Sequence, residues 1–140
     1  MKYIRLFENF NDNLIEIKPN KFIYHISNPY FRDKISKEGL IPKSKSETWL
    51  SDTKIDDSVI FASNSNDIDK WFIPLYDDDI YRIDTTNLNN KWFRDPNSDN
   101  DNWIITFDKI LPEYIELIYK GTGEVDDYRD SEIIKRMNIL

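Results

Sequence analysis

The chain has 140 residues, of which 19 are Lys or Arg and 26 are Asp or Glu, so its formal charge at pH 7 is −7. Aromatic residues make up 14% of it, which argues against a disordered acidic segment and predicts one packed domain over residues 1–140. The absence of Cys excludes disulfides, thiolate nucleophiles and Cys-ligated zinc, and no apolar run approaches the roughly 18 residues that a membrane span requires.

Charge also bears on partners and location. Binding duplex nucleic acid requires clustered Lys and Arg side chains, and here the basic residues are scattered and outnumbered, although a local basic groove stays open as an alternative. We therefore expect no nucleic-acid partner. The acidic surface suits a basic partner protein or serves solubility alone. Residues 1–10 carry three charges and are not typical of a signal peptide, which favours the cytoplasm.

β-Branched and aromatic residues predict six strands along the chain. They lie at residues 14–17, 21–27, 58–63, 79–84, 103–107 and 115–119. In the fourth, Ile80 and Arg82 are expected to face away from Tyr81 and Ile83, because side chains alternate along a strand.

The first predicted helix begins at Asn28-Pro29, a capping residue followed by a residue suited to the first turn, and ends at Gly39. Two further helices are predicted, one after Asn64 or Ser65 with Ile68 and Phe72 on one face, and one after Ser131 with Ile133, Ile134 and Met137 on one face. Strands outnumber helices without a repeating βαβ order, so the fold class is α+β with a mostly antiparallel or mixed sheet.

Chemistry centres on the single histidine, His25. One His excludes a metal site built from two or three, and three Gly without the required spacing exclude a phosphate-binding loop. On a strand, His25 and Ser27 point to one face while Tyr24 and Ile26 point to the other. An imidazole and a hydroxyl on one face suit adjacent hydroxyl and amide groups of a ligand. The alternative is a half-buried structural histidine satisfied by Ser27 or by a backbone carbonyl.

The acidic runs at residues 77–79 and 95–101 lack the spacing of a calcium-binding EF-hand loop and are expected to be solvated loops. The polar loop at residues 43–57 contains Trp49, which is interpreted either as a lid residue over a cleft or as an anchor on the core.

Segments in order along the chain resemble the ADP-ribosyltransferase-fold superfamily, which includes diphtheria-toxin-like enzymes, rifampin-modifying transferases and RNA 2′-phosphotransferases. They are FIYHIS at 22–27, a helix followed by GLIP at 39–42, VIFAS at 59–63 with DIYRID at 79–84, and ILPEYIELI at 110–118. The resemblance covers about residues 22–119, with 1–20 and 121–140 as extensions. It implies a split β-sandwich, in which two small packed sheets enclose a cleft, with a few short helices.

The resemblance further implies that NAD binds in the cleft as a substrate and that its ADP-ribose is transferred to a protein or a small acceptor. A protein acceptor is expected to have a basic surface. In the family the first-strand His hydrogen-bonds the nicotinamide ribose. That role maps to His25, with Ser27 supporting it and Tyr24 beside it. Phe61 matches the aromatic residue that packs on nicotinamide, with Trp71 and Phe72 of the following helix as alternatives, and Ser63 ends the same segment as a further NAD contact.

The family also uses a carboxylate, usually Glu, to hold the ribose and stabilise the positive charge that develops as nicotinamide leaves. The strand at 103–107 contains no Glu, so the resemblance implies Asp108 as the carboxylate and Thr106, two residues earlier, as a ribose contact. The missing Glu favours an alternative, a catalytically inactive module of this fold that binds a nucleotide or a protein, such as a phage-encoded inhibitor of a host protein. RNA 2′-phosphotransfer is disfavoured, because it needs several Arg and His around a phosphate.

Overall fold

The computed structural model describes residues 14–43, 58–65, 77–96, 98 and 101–123. The predicted helices after Asn64 and Ser131 and the residue Trp49 lie outside these ranges. Seven strands and one α-helix are present in the described part. They are β1 (Glu16–Ile17), β2 (Phe22–Ser27), α1 (Arg32–Glu38), β3 (Ile60–Ser63), β4 (Asp79–Asp84), β5 (Trp92–Arg94), β6 (Trp103–Thr106) and β7 (Ile115–Tyr119), with 3₁₀ turns at Pro29–Phe31 and Pro112–Tyr114.

The strands form a sheet in the order β1-β5-β6-β3-β2-β4-β7, and every neighbouring pair is antiparallel. This confirms the α+β class and the mostly antiparallel sheet. β5 was not predicted, because three residues are too few to show an alternating pattern.

The sheet is weakly joined between β2 and β3. These strands pair at one position, Tyr24 with Ser63, whereas β2 pairs with β4 at six positions and β3 pairs with β6 at four. The resemblance implies two small packed sheets with a cleft between them. Hydrogen bonding links all seven described strands into one sheet, which the single-pair junction divides into two halves.

Side chains alternate between two faces of the sheet as expected. Ile23, Tyr81 and Ile83 belong to the main core, which also contains Ile35 of α1, while Ile80 packs with Tyr119 on the opposite face. The helix therefore covers the face on which the odd-numbered residues of β2 lie.

The turn before the helix and the residue after it follow the predicted pattern. The Asn28 side chain accepts a hydrogen bond from the Tyr30 amide at 2.8 Å. Gly39 has φ +79°, and its position is crowded, since Leu40 and Ile110 exchange backbone hydrogen bonds of 2.9 Å beside it. A Cβ at Gly39 would lie 2.0 Å from the Ile110 carbonyl oxygen, so this position needs glycine both for its φ and for space.

The expectation of solvated acidic loops is wrong for Asp77, Asp79 and Asp95, which are buried. Arg32 on α1 binds Asp79 with two hydrogen bonds of 2.7 and 2.8 Å, and the Gly121 amide donates to the same carboxylate at 2.9 Å. Asp77 accepts from the Tyr119 hydroxyl and from Thr122. Asp77 and Asp79 are buried because each one finds several donors.

Substituting Gly39→Ala tests the close approach at the helix end. We expect it to cost about 2 kcal/mol or more of unfolding free energy beyond Gly123→Ala in urea unfolding. Gly123 is the matched control, because its φ is +75° but a Cβ there meets only the Pro29 side chain, at 3.4 Å. Equal costs for the two variants would contradict the contact between Gly39 and Ile110.

Removing Arg32 tests the buried ion pair. Arg32→Met leaves the fully buried Asp79 without its cation, so we expect a loss of about 3–5 kcal/mol of unfolding free energy. The control is Arg82→Met, which breaks the exposed pair between Arg82 and Glu116 and should cost less than about 1 kcal/mol. A cost for Arg32→Met no larger than that of the control would show that the pair does not anchor α1.

Candidate functional site

His25 lies on β2 directly beside the junction with β3. Its ring is half-buried, and Nδ1 is 2.7 Å from the backbone carbonyl oxygen of Phe61 on β3. A carbonyl oxygen only accepts hydrogen bonds, so Nδ1 carries the proton and donates it. Nε2 of the neutral ring is then left with a lone pair, which makes it a hydrogen-bond acceptor.

Burial keeps this imidazole neutral. Desolvation lowers the pKa of His25 from 6.5 to about 4, outweighing the hydrogen bond to Phe61, which raises the pKa; the nearby charge of Lys43 lowers it further. At neutral pH the ring therefore presents an acceptor at Nε2. Such an atom suits a hydroxyl donor, for example that of a ribose.

The contact with Phe61 corresponds to the structural interpretation of His25, a half-buried ring that hydrogen-bonds a backbone carbonyl. The two interpretations are compatible, since the structural bond uses Nδ1 and fixes the tautomer. The same bond links the two strands where their backbone pairing is limited to Tyr24 and Ser63.

Lys43 is a member of the site that sequence reasoning missed. Its backbone exchanges hydrogen bonds of 3.0 Å with Val59, which brings the residue after the GLIP segment to the start of β3. Its Nζ lies 3.6 Å from the centroid of the Phe31 ring, and its positive charge lowers the pKa of His25. The sequence identified Lys43 only as the first residue of a polar loop. Its place beside His25 depends on the pairing with Val59, which is distant in sequence.

Two other predicted site residues on β2 are placed on opposite faces. Ser27 is half-buried and lies across from Asp79 in β4, on the same face as His25. Tyr24 packs on the other face, with Ile80 and Tyr119. Sequence alternation predicted this division.

Phe61 contributes its backbone to the site rather than its ring. The ring is partly buried and packs against the cluster of Val59, Phe93 and Ile105. Ile60 and Ala62 on either side belong to the main core with Ile23. The Phe61 ring therefore lies on the opposite face of the sheet from His25. Trp71 and Phe72, the other aromatic candidates, lie outside the described residues.

The predicted hydroxyl contacts have internal partners. Ser63 is buried, and its Oγ donates to the Ser65 carbonyl at 2.7 Å and accepts from the Ser65 amide at 3.1 Å. Thr106 is fully buried, donates to the Lys91 carbonyl at 2.8 Å and accepts from Asn90 at 3.2 Å. The donors and acceptors of these hydroxyls are thus engaged within the protein.

Asp108 is exposed beyond the end of β6, where its carbonyl accepts a hydrogen bond of 2.9 Å from Asn90. Three paired residues lie side by side across the junction: Tyr24 of β2 pairs with Ser63 of β3, which pairs with Trp103 of β6. Asp108 follows Trp103 by five residues, which at strand geometry is on the order of 15 Å. The structure therefore does not bring Asp108 and His25 together.

A comparison with protein-family models finds no match, and a comparison with curated proteins finds none either. Among the described residues, no group of three or more His, Asp or Glu is arranged to hold a metal ion. No helix in those residues is both long and apolar enough to cross a membrane.

The neutral state of His25 predicts a pH dependence of stability. In the unfolded chain His25 takes up a proton near its ordinary pKa of 6.5, but in the folded protein only near 4. The unfolded state therefore binds more protons in this window, and the unfolding free energy should fall by on the order of 2 kcal/mol between pH 6.5 and 4.

The control is His25→Asn, whose amide nitrogen replaces Nδ1 as the donor to Phe61 but does not titrate. Burial beside Asp79 and Asp77 raises the pKa of Asp78 to about 6, which acts in the opposite direction in both proteins. The difference between their urea unfolding curves therefore isolates His25. Identical pH profiles for the two proteins would contradict a neutral His25.

Proposed function

We propose that the protein binds NAD at the junction between β2 and β3 and acts as an ADP-ribosyltransferase-like protein, transferring ADP-ribose to a protein or small acceptor. The observation that carries the proposal is the hydrogen bond from His25 Nδ1 to the Phe61 carbonyl, which leaves Nε2 of the neutral ring as a hydrogen-bond acceptor. This acceptor meets the requirement that the resemblance sets for recognition of the nicotinamide ribose.

Two features of the fold support the proposal. The single-pair junction between β2 and β3 is compatible with a split β-sandwich, in which two halves of a sheet part and leave a cleft. The segments GLIP and ILPE meet in space, since Leu40 and Ile110 exchange backbone hydrogen bonds of 2.9 Å. Two motifs that carry the resemblance are thus one structural unit.

Charge supports an anionic ligand at the site and a basic acceptor elsewhere on the surface. Lys43 lies close enough to act on His25, and a cation there attracts the diphosphate of a dinucleotide. The net charge of −7 favours an arginine-rich acceptor protein over an acidic one.

A second candidate is a module that binds NAD or a related nucleotide without transferring ADP-ribose. Asp108 is exposed and lies several residues beyond Trp103, the residue of β6 that pairs with Ser63, and this position favours the binding module. Asp79, the carboxylate opposite Ser27, is bound to Arg32, which offsets its charge.

Replacing His25 by Asn separates ligand binding from folding. The variant keeps the donor to Phe61 and loses the Nε2 acceptor, so we expect NAD to bind about tenfold more weakly while the circular dichroism spectrum is unchanged. Titration calorimetry measures the affinity, and Lys37→Gln on the exposed face of α1 serves as control. Binding by His25→Asn as tight as that of the unaltered protein would overturn the site.

Release of nicotinamide decides between the two candidates. The unaltered protein is incubated with NAD and an arginine-rich polypeptide, and free nicotinamide is measured by chromatography. Release that falls at least about a hundredfold in Asp108→Asn supports transfer with Asp108 as its carboxylate. Release that is unaffected by this substitution keeps transfer and rejects Asp108. NAD binding without release establishes the binding module.

A further inference from the structure

A groove of about 470 Å³ lies between the turn that joins β1 to β2 and the loop that joins β4 to β5. Its volume is within the range of small-molecule sites. Lys21 and Thr85 at its edge adjoin each other, since the Thr85 amide donates to the Lys21 carbonyl at 2.9 Å. Lys21 directly precedes β2 and is four residues from His25, or about 13 Å at strand geometry, so the groove is separate from the proposed NAD site.

Two lysines line the groove, and the Asp84 carboxylate is near enough to one of them, Lys21, for that charge to contribute to lowering the pKa of Asp84. Lys18 and Lys21 are both exposed and are the charged residues among those that line it. Pro19, Leu88 and Trp92 supply an apolar lining beside them. This combination of two ammonium groups and an apolar wall favours a small organic anion.

Trp92 adds an unused donor. The indole is 1% exposed, and its Nε1 finds no hydrogen-bond acceptor among the described residues. A buried donor without an acceptor is costly, and such atoms in native proteins mark a missing partner. Trp92 also lines the groove, which places this donor beside the space that a ligand would occupy.

We propose that this groove binds a small organic anion, a phosphate or carboxylate attached to a flat apolar group. The anionic group lies between Lys18 and Lys21, and the apolar group packs on Leu88 and Pro19. An oxygen of the ligand accepts a hydrogen bond from the Trp92 indole, with a small adjustment of the groove wall.

The test follows the indole N–H resonance of Trp92 in the full chain by proton–nitrogen correlation spectroscopy. Inorganic phosphate, adenosine monophosphate and benzoate are titrated separately. We expect at least one organic anion to shift this resonance in a saturable way. We also expect Lys18→Gln with Lys21→Gln to weaken that binding at least tenfold, whereas Lys34→Gln with Lys37→Gln on α1 leaves it unchanged.

Trp92→Phe assigns the resonance and should weaken binding about fivefold; if this variant does not fold, the lysine variants and the unaltered protein still decide. A response to adenosine monophosphate but not benzoate makes the ligand a phosphate, and the reverse makes it a carboxylate. No response to any probe, or a response that the lysine variants leave unchanged, overturns the proposal. Nicotinamide release is expected to be unaffected by the lysine variants, so failure here is distinguishable from failure of the NAD proposal.

Discussion

The hydrogen bond between His25 and Phe61 is the constraint on which the candidate site depends. Backbone pairing between β2 and β3 is confined to Tyr24 and Ser63, so the two halves of the sheet are held at the junction partly by a side chain. A charged imidazole would be poorly tolerated in this half-buried position, and the ring is therefore neutral. The structural role and the proposed ligand-binding role thus follow from one tautomer.

The second anchor is the buried carboxylate pair that ties the end of β7 to the rest of the domain. Arg32 bridges Asp79 and the Gly121 carbonyl, while Asp77 accepts hydrogen bonds from Thr122. Together these contacts fix α1 against β4 and against the chain that leaves the sheet. Because Ile35 of α1 packs in one core cluster with Ile23, this network also holds the helix on the face of β2 on which His25 lies.

Sequence reasoning predicted the features that depend on local pattern. The strand at 79–84, the cap at Asn28, the stop at Gly39 and the faces of β2 all arise from alternation or from backbone preferences of single residues. It did not predict the burial of Asp77 and Asp79, since the run DDD shows charge and not the distant donors that offset it.

The same difference between local and distant information explains the candidate site. His25 was found because it is the single histidine on a strand, whereas Lys43 and the Phe61 carbonyl join it through pairings of residues far apart in sequence. The Phe61 ring lies on the opposite face of the sheet from His25. Alternation with Ile60 and Ala62 assigns the ring to that face only when the register with β6 is known.

Whether such a site transfers ADP-ribose or only binds it depends on a free negative charge near the ribose. The positive charge that develops as nicotinamide leaves is stabilised by an anion whose own charge is not already offset. Among the carboxylates in the described part of the chain, Asp79 is the one that strand pairing places nearest to the face of β2 on which His25 lies. The Arg32 guanidinium and the Gly121 amide bind its oxygens. The electrostatic potential that Asp79 produces at the junction between β2 and β3 is therefore reduced. Under the proposal, transfer would therefore have to rely on Asp108, whereas recognition of a dinucleotide would need only Nε2 of His25 and the cation at Lys43. The proposed binding therefore demands less of this architecture than the proposed transfer does.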